Sequence, residues 1–269
     1  MRTQSWKRRP TAVPGPGRRS ARRAVAVAVL AGVTASSQAT PSTDRRQGST
    51  PLERMPVDLE IRFALAALPP PLRRDATVFV LDPSLGYSIA RHGSNGQSCF
   101  VERTEWDRED YRNDVYVALC YDQAGAGAQM QVWFDVARLR ARGMSPADLR
   151  KHIAARFADG IYRAPTRPGL SYMTAPVMRA YASRDLPDRT VATMSMPHVM
   201  YYAPNVTDAD VGGVPPPPRG PYPFVAHPGP HGYLMQFLGE TERAAIVTRE
   251  RALLNELCAY RAVLCLENM

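Results

Sequence analysis

Two of the chain's five histidines fall within one five-residue stretch, His227-Pro228-Gly229-Pro230-His231, and a third, His198, stands upstream in Ser195-Met196-Pro197-His198. Clustered imidazoles suit two kinds of chemistry. A catalytic zinc takes three protein ligands and keeps one position open, and His198, His227 and His231 would supply the three. Asp208, Asp210, Tyr201 and Tyr202 add oxygens nearby in sequence. The same three histidines could instead serve a hydrolase as general base and partners. The i, i+4 spacing of His227 and His231 would stack both rings on one helical face, but Pro228, Gly229 and Pro230 forbid that helix. The simpler reading is a turn. Its prolines fix φ near −65°, Gly229 alone tolerates positive φ, and the chain is delivered into a strand at 232–238. On that reading no cofactor is needed, and zinc is the alternative.

Two further clusters have a chemical and a plain reading. In Arg91-His92-Gly93-Ser94-Asn95-Gly96, backbone amides and Asn95 could form a small anion-binding nest, but Asn-Gly is also the strongest short hairpin signal. The turn is preferred, with Asn95, Tyr201 and Tyr202 kept as candidate binding residues. In 104–110, Glu105, Asp107, Glu109 and Asp110 read as a solvated acidic loop that could border a substrate site. No G-x-S-x-G elbow, S-x-x-K, H-E-x-x-H, Walker loop or strand-borne G-x-G-x-x-G occurs, so the common hydrolase, zincin and nucleotide signatures are missing.

The elements that must position these residues follow from short-range pattern. A helix fits 57–68, stopped by Pro69-Pro70-Pro71. Four short apolar runs, within 76–82, 86–91, 97–103 and 115–121, are separated by turn residues and read as an antiparallel β-meander. Helices follow over 130–143, ending at Gly143, and over 145–160, opened by Ser145, Pro146 and Asp148 and closed at Gly160. Strand candidates lie at 169–175, 190–203 and 232–239. A long proline-rich loop spans 204–230, and loops of that length in compact domains are functional or disordered. Ile246, Leu253, Leu254 and Leu257 recur at helical spacing in a C-terminal amphipathic helix. The expected fold class is α+β, an antiparallel sheet with flanking helices, in one domain over 57–269.

What precedes that domain reads as an address. Arg2, Lys7, Arg8, Arg9, Arg18, Arg19, Arg22 and Arg23 face no acid in the first 39 residues, and a short apolar run, Ala24 to Val33, follows. Small residues then offer cleavage after Ala35 or Ala39, completing a secretory signal peptide over 1–39; the paired arginines also admit a twin-arginine route. Residues 40–56, rich in Pro, Ser and Thr, make a flexible lead-in. The apolar run is too short for a bilayer span, which needs about 20 residues, so no membrane span is expected after cleavage. Eight of the nine net positive charges lie in the leader, leaving +1 on the mature chain. That removes the electrostatic footprint a nucleic-acid partner would need.

Four cysteines, Cys99, Cys120, Cys258 and Cys265, suit an oxidising compartment and two disulfides. Local pairing favours Cys99–Cys120 and Cys258–Cys265. The second pair carries a condition, because seven residues of unbroken helix would separate the Cα atoms by about 10.5 Å, beyond disulfide reach. The helix must therefore stop between them.

Two functions are carried forward. One is an exported bacterial protein, periplasmic or secreted, that binds a small ligand or an envelope component without catalysis. The other is a metal- or histidine-dependent hydrolase built on His198, His227 and His231.

Overall fold

The α+β expectation holds: a mostly antiparallel eight-stranded sheet is flanked by helices on both faces. A computed structural model describes residues 51–182, 188–212 and 222–267. The expected signal peptide and most of the lead-in lie outside them. Residues 51–56, expected to belong to the lead-in, already pack on the domain, since Met55 is 2% exposed and the Glu53 carbonyl accepts from Arg103 Nη1 at 3.3 Å.

Helix α1 (Val57–Ala66) starts after Pro56 with Asp58 and Glu60 in its first turn, where acids complement the helix dipole. The three prolines that end it run into a single turn, α2 (Pro70–Arg73). Strands β1 (Thr77–Asp82), β2 (Gly86–Arg91), β3 (Ser98–Glu102) and β4 (Val117–Tyr121) fall where the apolar runs place them.

Their order does not follow a meander. The sheet runs β2-β1-β3-β4, with β1 and β3 parallel through Thr77↔Ser98 and Val78↔Cys99. Burial explains the departure. β2 exposes Ser88, Ile89 and Ala90 and belongs at an edge, whereas Cys99, Phe100 and Val101 of β3 are buried on both faces and belong inside. The stretch 92–97 therefore crosses over the start of β1 instead of turning β2 back beside β3.

β4 shows how the two faces are used. Ala118 and Cys120 are small and meet α1, while Val117, Leu119 and Tyr121 are large and face the other way. Cys99 and Cys120 stand directly opposite in the β3–β4 ladder and form a disulfide across it, with Cα atoms 4.1 Å apart. The two cysteines are 21 residues apart in sequence, and closing such a loop is worth about 3 kcal/mol in the chain-entropy model. A Cys99→Ala/Cys120→Ala double variant is accordingly expected to lose about that much in denaturant titrations, and a loss below 1 kcal/mol would contradict the assignment.

After β4 the chain makes α3 (Gln123–Ala128), capped by Asp122, then α4 (Met130–Ala141) and α5 (Pro146–Ala158). α5 begins as expected: the Ser145 hydroxyl accepts from Asp148 N, and Gly143 and Gly160 close the two longer helices with positive φ. The sheet continues with β5 (Leu170–Met173), β8 (His198–Tyr202), β10 (Tyr233–Phe237) and β9 (Phe224–His227), all antiparallel to their neighbours. A two-stranded ribbon, β6 (Met178–Tyr181) with β7 (Val191–Met194), stands apart and is tied to the sheet region by the Tyr116↔Arg179 bridge and the Arg179–Asp114 ion pair at 2.7 Å. Pro197, which has no N–H to give, splits the strand expected over 190–203 between the two sheets. β9 lies inside the stretch read as a loop over 204–230.

The C-terminal helix is two helices, α6 (Glu240–Arg249) and α7 (Arg251–Tyr260), and α7 buries Leu253, Leu254 and Leu257 against α1. It stops at Arg261, whose φ of −146° is extended, and the following 3₁₀ turn brings Cys265 back to Cys258 in the second disulfide. Among the described residues no helix is long and apolar enough to cross a membrane.

Candidate functional site

The β-strand period of two sets the site. Alternate residues of β4, β5, β8, β10 and β9 point to one face, opposite the α1–α7 layer, and line a half-open cavity of about 780 Å³. Five methionines line it, Met173, Met178, Met196, Met200 and Met235, with Leu119, Trp133 and Phe237 among the other apolar walls. Methionine is unbranched and polarisable, which lets such a wall adapt to irregular shapes. Trp133 from α4 is fixed by donating Nε1–H to the Tyr121 hydroxyl at 2.8 Å, and Tyr202 by donating to the Leu170 carbonyl at 3.1 Å.

A few polar groups break this apolar lining: Glu102, Glu105, Arg108, Ser171 and His198. Glu102 shares strand parity with Phe100, so the alternation that buries the phenyl ring also turns the carboxyl inward. In this lining Glu102 Oε1, Ser171 Oγ and His198 Nε2 are buried without a hydrogen-bond partner among the described residues; Glu60 Oε2, Gln97 Oε1, Arg156 Nε, Ser195 Oγ and the Tyr260 hydroxyl share that state elsewhere. Native folds seldom leave such atoms unpaired, because each costs about 1–3 kcal/mol.

Their protonation follows from surroundings. His198 Nδ1 lies 2.7 Å from the Met196 carbonyl. A carbonyl only accepts, so Nδ1 carries the proton and Nε2 presents a lone pair. Burial pushes the imidazole down to about 4, against the raising effect of that bond, so the ring is neutral near pH 7. Burial, reinforced by the neighbouring Glu105 and Asp107 carboxylates, raises Glu102 well above the usual carboxylate range and so favours the uncharged acid, which can donate. Glu105 is pushed up to about 7, again first by burial and then by Asp107, with Arg108 opposing. The Arg108 guanidinium lies over the Tyr181 ring at 4.6 Å and donates to the Asp188 carbonyl at 3.3 Å.

The expected site residues divide. His198 and Tyr202 line the cavity. Tyr201, next in the strand, points to the opposite face and donates to Gln236 Oε1 at 3.1 Å. Asn95 is spent on the crossover, giving its amide to the Leu72 carbonyl at 2.7 Å and accepting from Gln97 N at 3.0 Å. His227 ends β9, exposed and stacked on Tyr233. His231 is half-buried, bonding the Tyr162 carbonyl through Nε2 at 2.8 Å and lying edge-on to Phe157. The three histidines weighed as a zinc site thus have separate partners, and among the described residues no group of three His, Cys, Asp or Glu is arranged to hold a metal ion. No family model, curated protein or solved structure matches the chain. The site is read from its own chemistry.

The stretch 227–231 is the β9–β10 connection, and Gly229 has φ +97°. Its carbonyl accepts from Gly232 N and its turn is fastened by Asn205 N at 2.7 Å. Stability should rank accordingly. His227→Ala is expected to cost no more than about 0.5 kcal/mol, as an exposed change. His231→Ala should cost about 1–2 kcal/mol for a lost bond and ring contact, and Gly229→Val a similar amount for forcing a β-branched residue to positive φ. Urea titrations check the order; a His227→Ala cost equal to that of Gly229→Val would contradict it.

Sequence reasoning missed Glu102 and Ser171 and took Glu105 for a solvated loop residue. The signal for Glu102 was parity with Phe100 in an otherwise apolar strand. Ser171 left none, because a serine between Leu170 and Tyr172 is unremarkable in a strand.

Proposed function

We propose that this is an exported binding protein whose cavity takes a small, largely apolar molecule carrying a few uncharged polar groups. The supporting observation is the combination in one cavity: about 780 Å³ of methionine- and aromatic-walled space, with Glu102, Ser171 and His198 each offering a buried polar atom that the protein leaves unpaired. Ligand sites have that composition, mostly apolar with a small number of placed polar groups. Export is supported by the basic leader and is compatible with the two disulfides. A mature N-terminus at Ser36 or Thr40, read by mass spectrometry, would support it, and intact Met1 on the functional protein would overturn it.

Titration with 1-N-phenylnaphthylamine tests the binding reading. Saturable one-to-one enhancement of its fluorescence is expected, weakened at least ten-fold in an Ala180→Trp/Ala226→Trp variant that narrows the cavity from two walls. Absence of saturable binding to the wild type would overturn it.

A second reading, a histidine-dependent hydrolase, is favoured by one observation. Ser171 is opposite Met200, so it is the diagonal neighbour of His198 on the same face of adjacent strands, and both functional atoms lack partners. It ranks second because a general base works best with a pKa near the working pH, and burial takes His198 to about 4. Fluorophosphonate labelling that disappears in Ser171→Ala would promote it; no labelling of the wild type would remove it.

A further inference from the structure

We infer that the ligand is uncharged and bipolar: an extended aliphatic molecule with a hydrogen-bond acceptor, such as an ester carbonyl, at the Glu102 end and a hydroxyl donor at the His198 end. The inference rests on the binding reading above and specifies its ligand class.

The strand register carries it. Phe100 is opposite Leu119, Cys120 is opposite Tyr172, and Met173 is opposite His198. Carrying the β4–β5 ladder one residue on sets Leu119 beside Met173. His198 therefore stands in the same cross-strand row as Phe100, and Glu102 stands two residues further along β3. From β3 to β8 is three strand spacings, about 14 Å. Between these ends the row is apolar, formed by Leu119 and Met173, with Met178 among the other cavity walls. Ser171 lies on the same face beside the His198 end, on the side of the row away from Glu102, opposite Tyr121 and Met200.

Each end has a defined polarity. His198 Nε2 is an acceptor because Nδ1 already donates to Met196, so it is satisfied by a donor. Glu102, 6% exposed and with Oε1 buried and unpaired, sits among Glu105 and Asp107; burial and these acids favour its protonated form, which is satisfied by an acceptor and disfavours a carboxylate. A neutral imidazole at the far end gives an anion no countercharge, and the Arg108 guanidinium in the lining is already engaged over the Tyr181 ring and on the Asp188 carbonyl. An alkane would leave both ends unpaired, and an alcohol or a simple ester would leave one.

Competition against 1-N-phenylnaphthylamine decides the matter, using methyl 12-hydroxydodecanoate, methyl dodecanoate, 1-dodecanol and dodecanoate. Methyl 12-hydroxydodecanoate is expected to compete about ten-fold more strongly than either singly functional molecule, the scale set by one buried group left unpaired. Dodecanoate should be the weakest. His198→Phe should erase the advantage of the hydroxyl while leaving that of the ester. Glu102→Leu should do the reverse, and Glu102→Gln, which keeps an N–H donor, should restore the ester preference. Cooperative urea unfolding shows that each variant is folded, and competition is scored as the ratio between compounds within one variant. Equal competition by all four compounds, or a preference untouched by both substitutions, would overturn the inference while leaving the binding reading intact; failure to bind the fluorophore would remove the binding reading itself.

Discussion

Stability is expected to fall as pH rises from 5 to 7, and Glu102→Gln is expected to make that fall shallower. In an unfolded chain a glutamate ionises near 4.3. In the fold, burial, then Glu105 and Asp107, keep the Glu102 proton on to well above that value. Between the two, the folded chain binds a proton that the unfolded chain has released, so stability declines with rising pH by up to about 1.4 kcal/mol per unit for one such group. Glu60 and Glu105 are both pushed up to about 7, with burial the leading cause, so they add to the same decline up to and past pH 7. His198 acts in the opposite sense and in a lower window. Lowered to about 4 by burial, it destabilises the fold as pH drops from about 6.5 toward 4. The difference between wild type and Glu102→Gln isolates Glu102. Urea titrations of wild type and Glu102→Gln at pH 5, 6 and 7 should give a steeper downward slope in the wild type, and parallel slopes would contradict the burial of this carboxyl.

Gly93→Ala is expected to cost about 3 kcal/mol, the upper end for overpacking. A methyl group there would sit 2.2 Å from the Ala76 carbonyl carbon and 2.3 Å from Thr77 N. These are backbone atoms feeding β1, so no side chain can swing aside. The same crossing is held by Gly93 N donating to Thr77 Oγ1 at 3.0 Å, by Ser94 N and Asn95 N sharing the Asp75 carbonyl, and by Thr77 N bonding the Gln97 carbonyl. A cost within 0.5 kcal/mol in denaturant titration would mean that the crossover does not approach β1 so closely.

That crossover marks where sequence reading stopped. The positions of the early strands were legible because each is a short apolar run between turn residues, and α5 was legible through Ser145, Pro146 and Gly160. Strand order was not, since His92-Gly93-Ser94-Asn95-Gly96 serves equally well as a hairpin turn or as a tight crossing. What decides between them is the two-faced burial of Cys99, Phe100 and Val101 against the exposure of Ser88 and Ile89, a property of the assembled sheet. β9 was hidden because Phe224–His227 offers only four residues between proline-rich flanks. The break between α6 and α7 at Glu250 carries neither glycine nor proline.

The candidate site was legible in part for a similar reason. Histidine draws attention by rarity, and His198 does line the cavity, but His227 and His231 are near it in sequence and belong to the β9–β10 turn. Glu102 ends a strand and is followed by Arg103, a pattern that reads as the chain emerging into solvent. Instead Arg103 is buried over the Tyr116 ring, bonding the Val115 and Asn113 carbonyls, and Glu102 is buried on the opposite face. Neighbouring charged residues sent to opposite faces of one strand cannot be distinguished, from sequence alone, from a solvated pair.

The most direct test of the cavity as a binding site is methyl NMR of protein labelled at its methionines, recorded with and without 1-N-phenylnaphthylamine. Ring currents from the bound fluorophore should shift the methyl signals of Met173, Met178, Met196, Met200 and Met235, which line the cavity, and leave Met55 in the α1–α7 core and Met144 beside α5 unchanged. Saturating shifts confined to those five would establish binding in the cavity. Shifts at Met55 or Met144 alone, or no shift at any methionine, would contradict it.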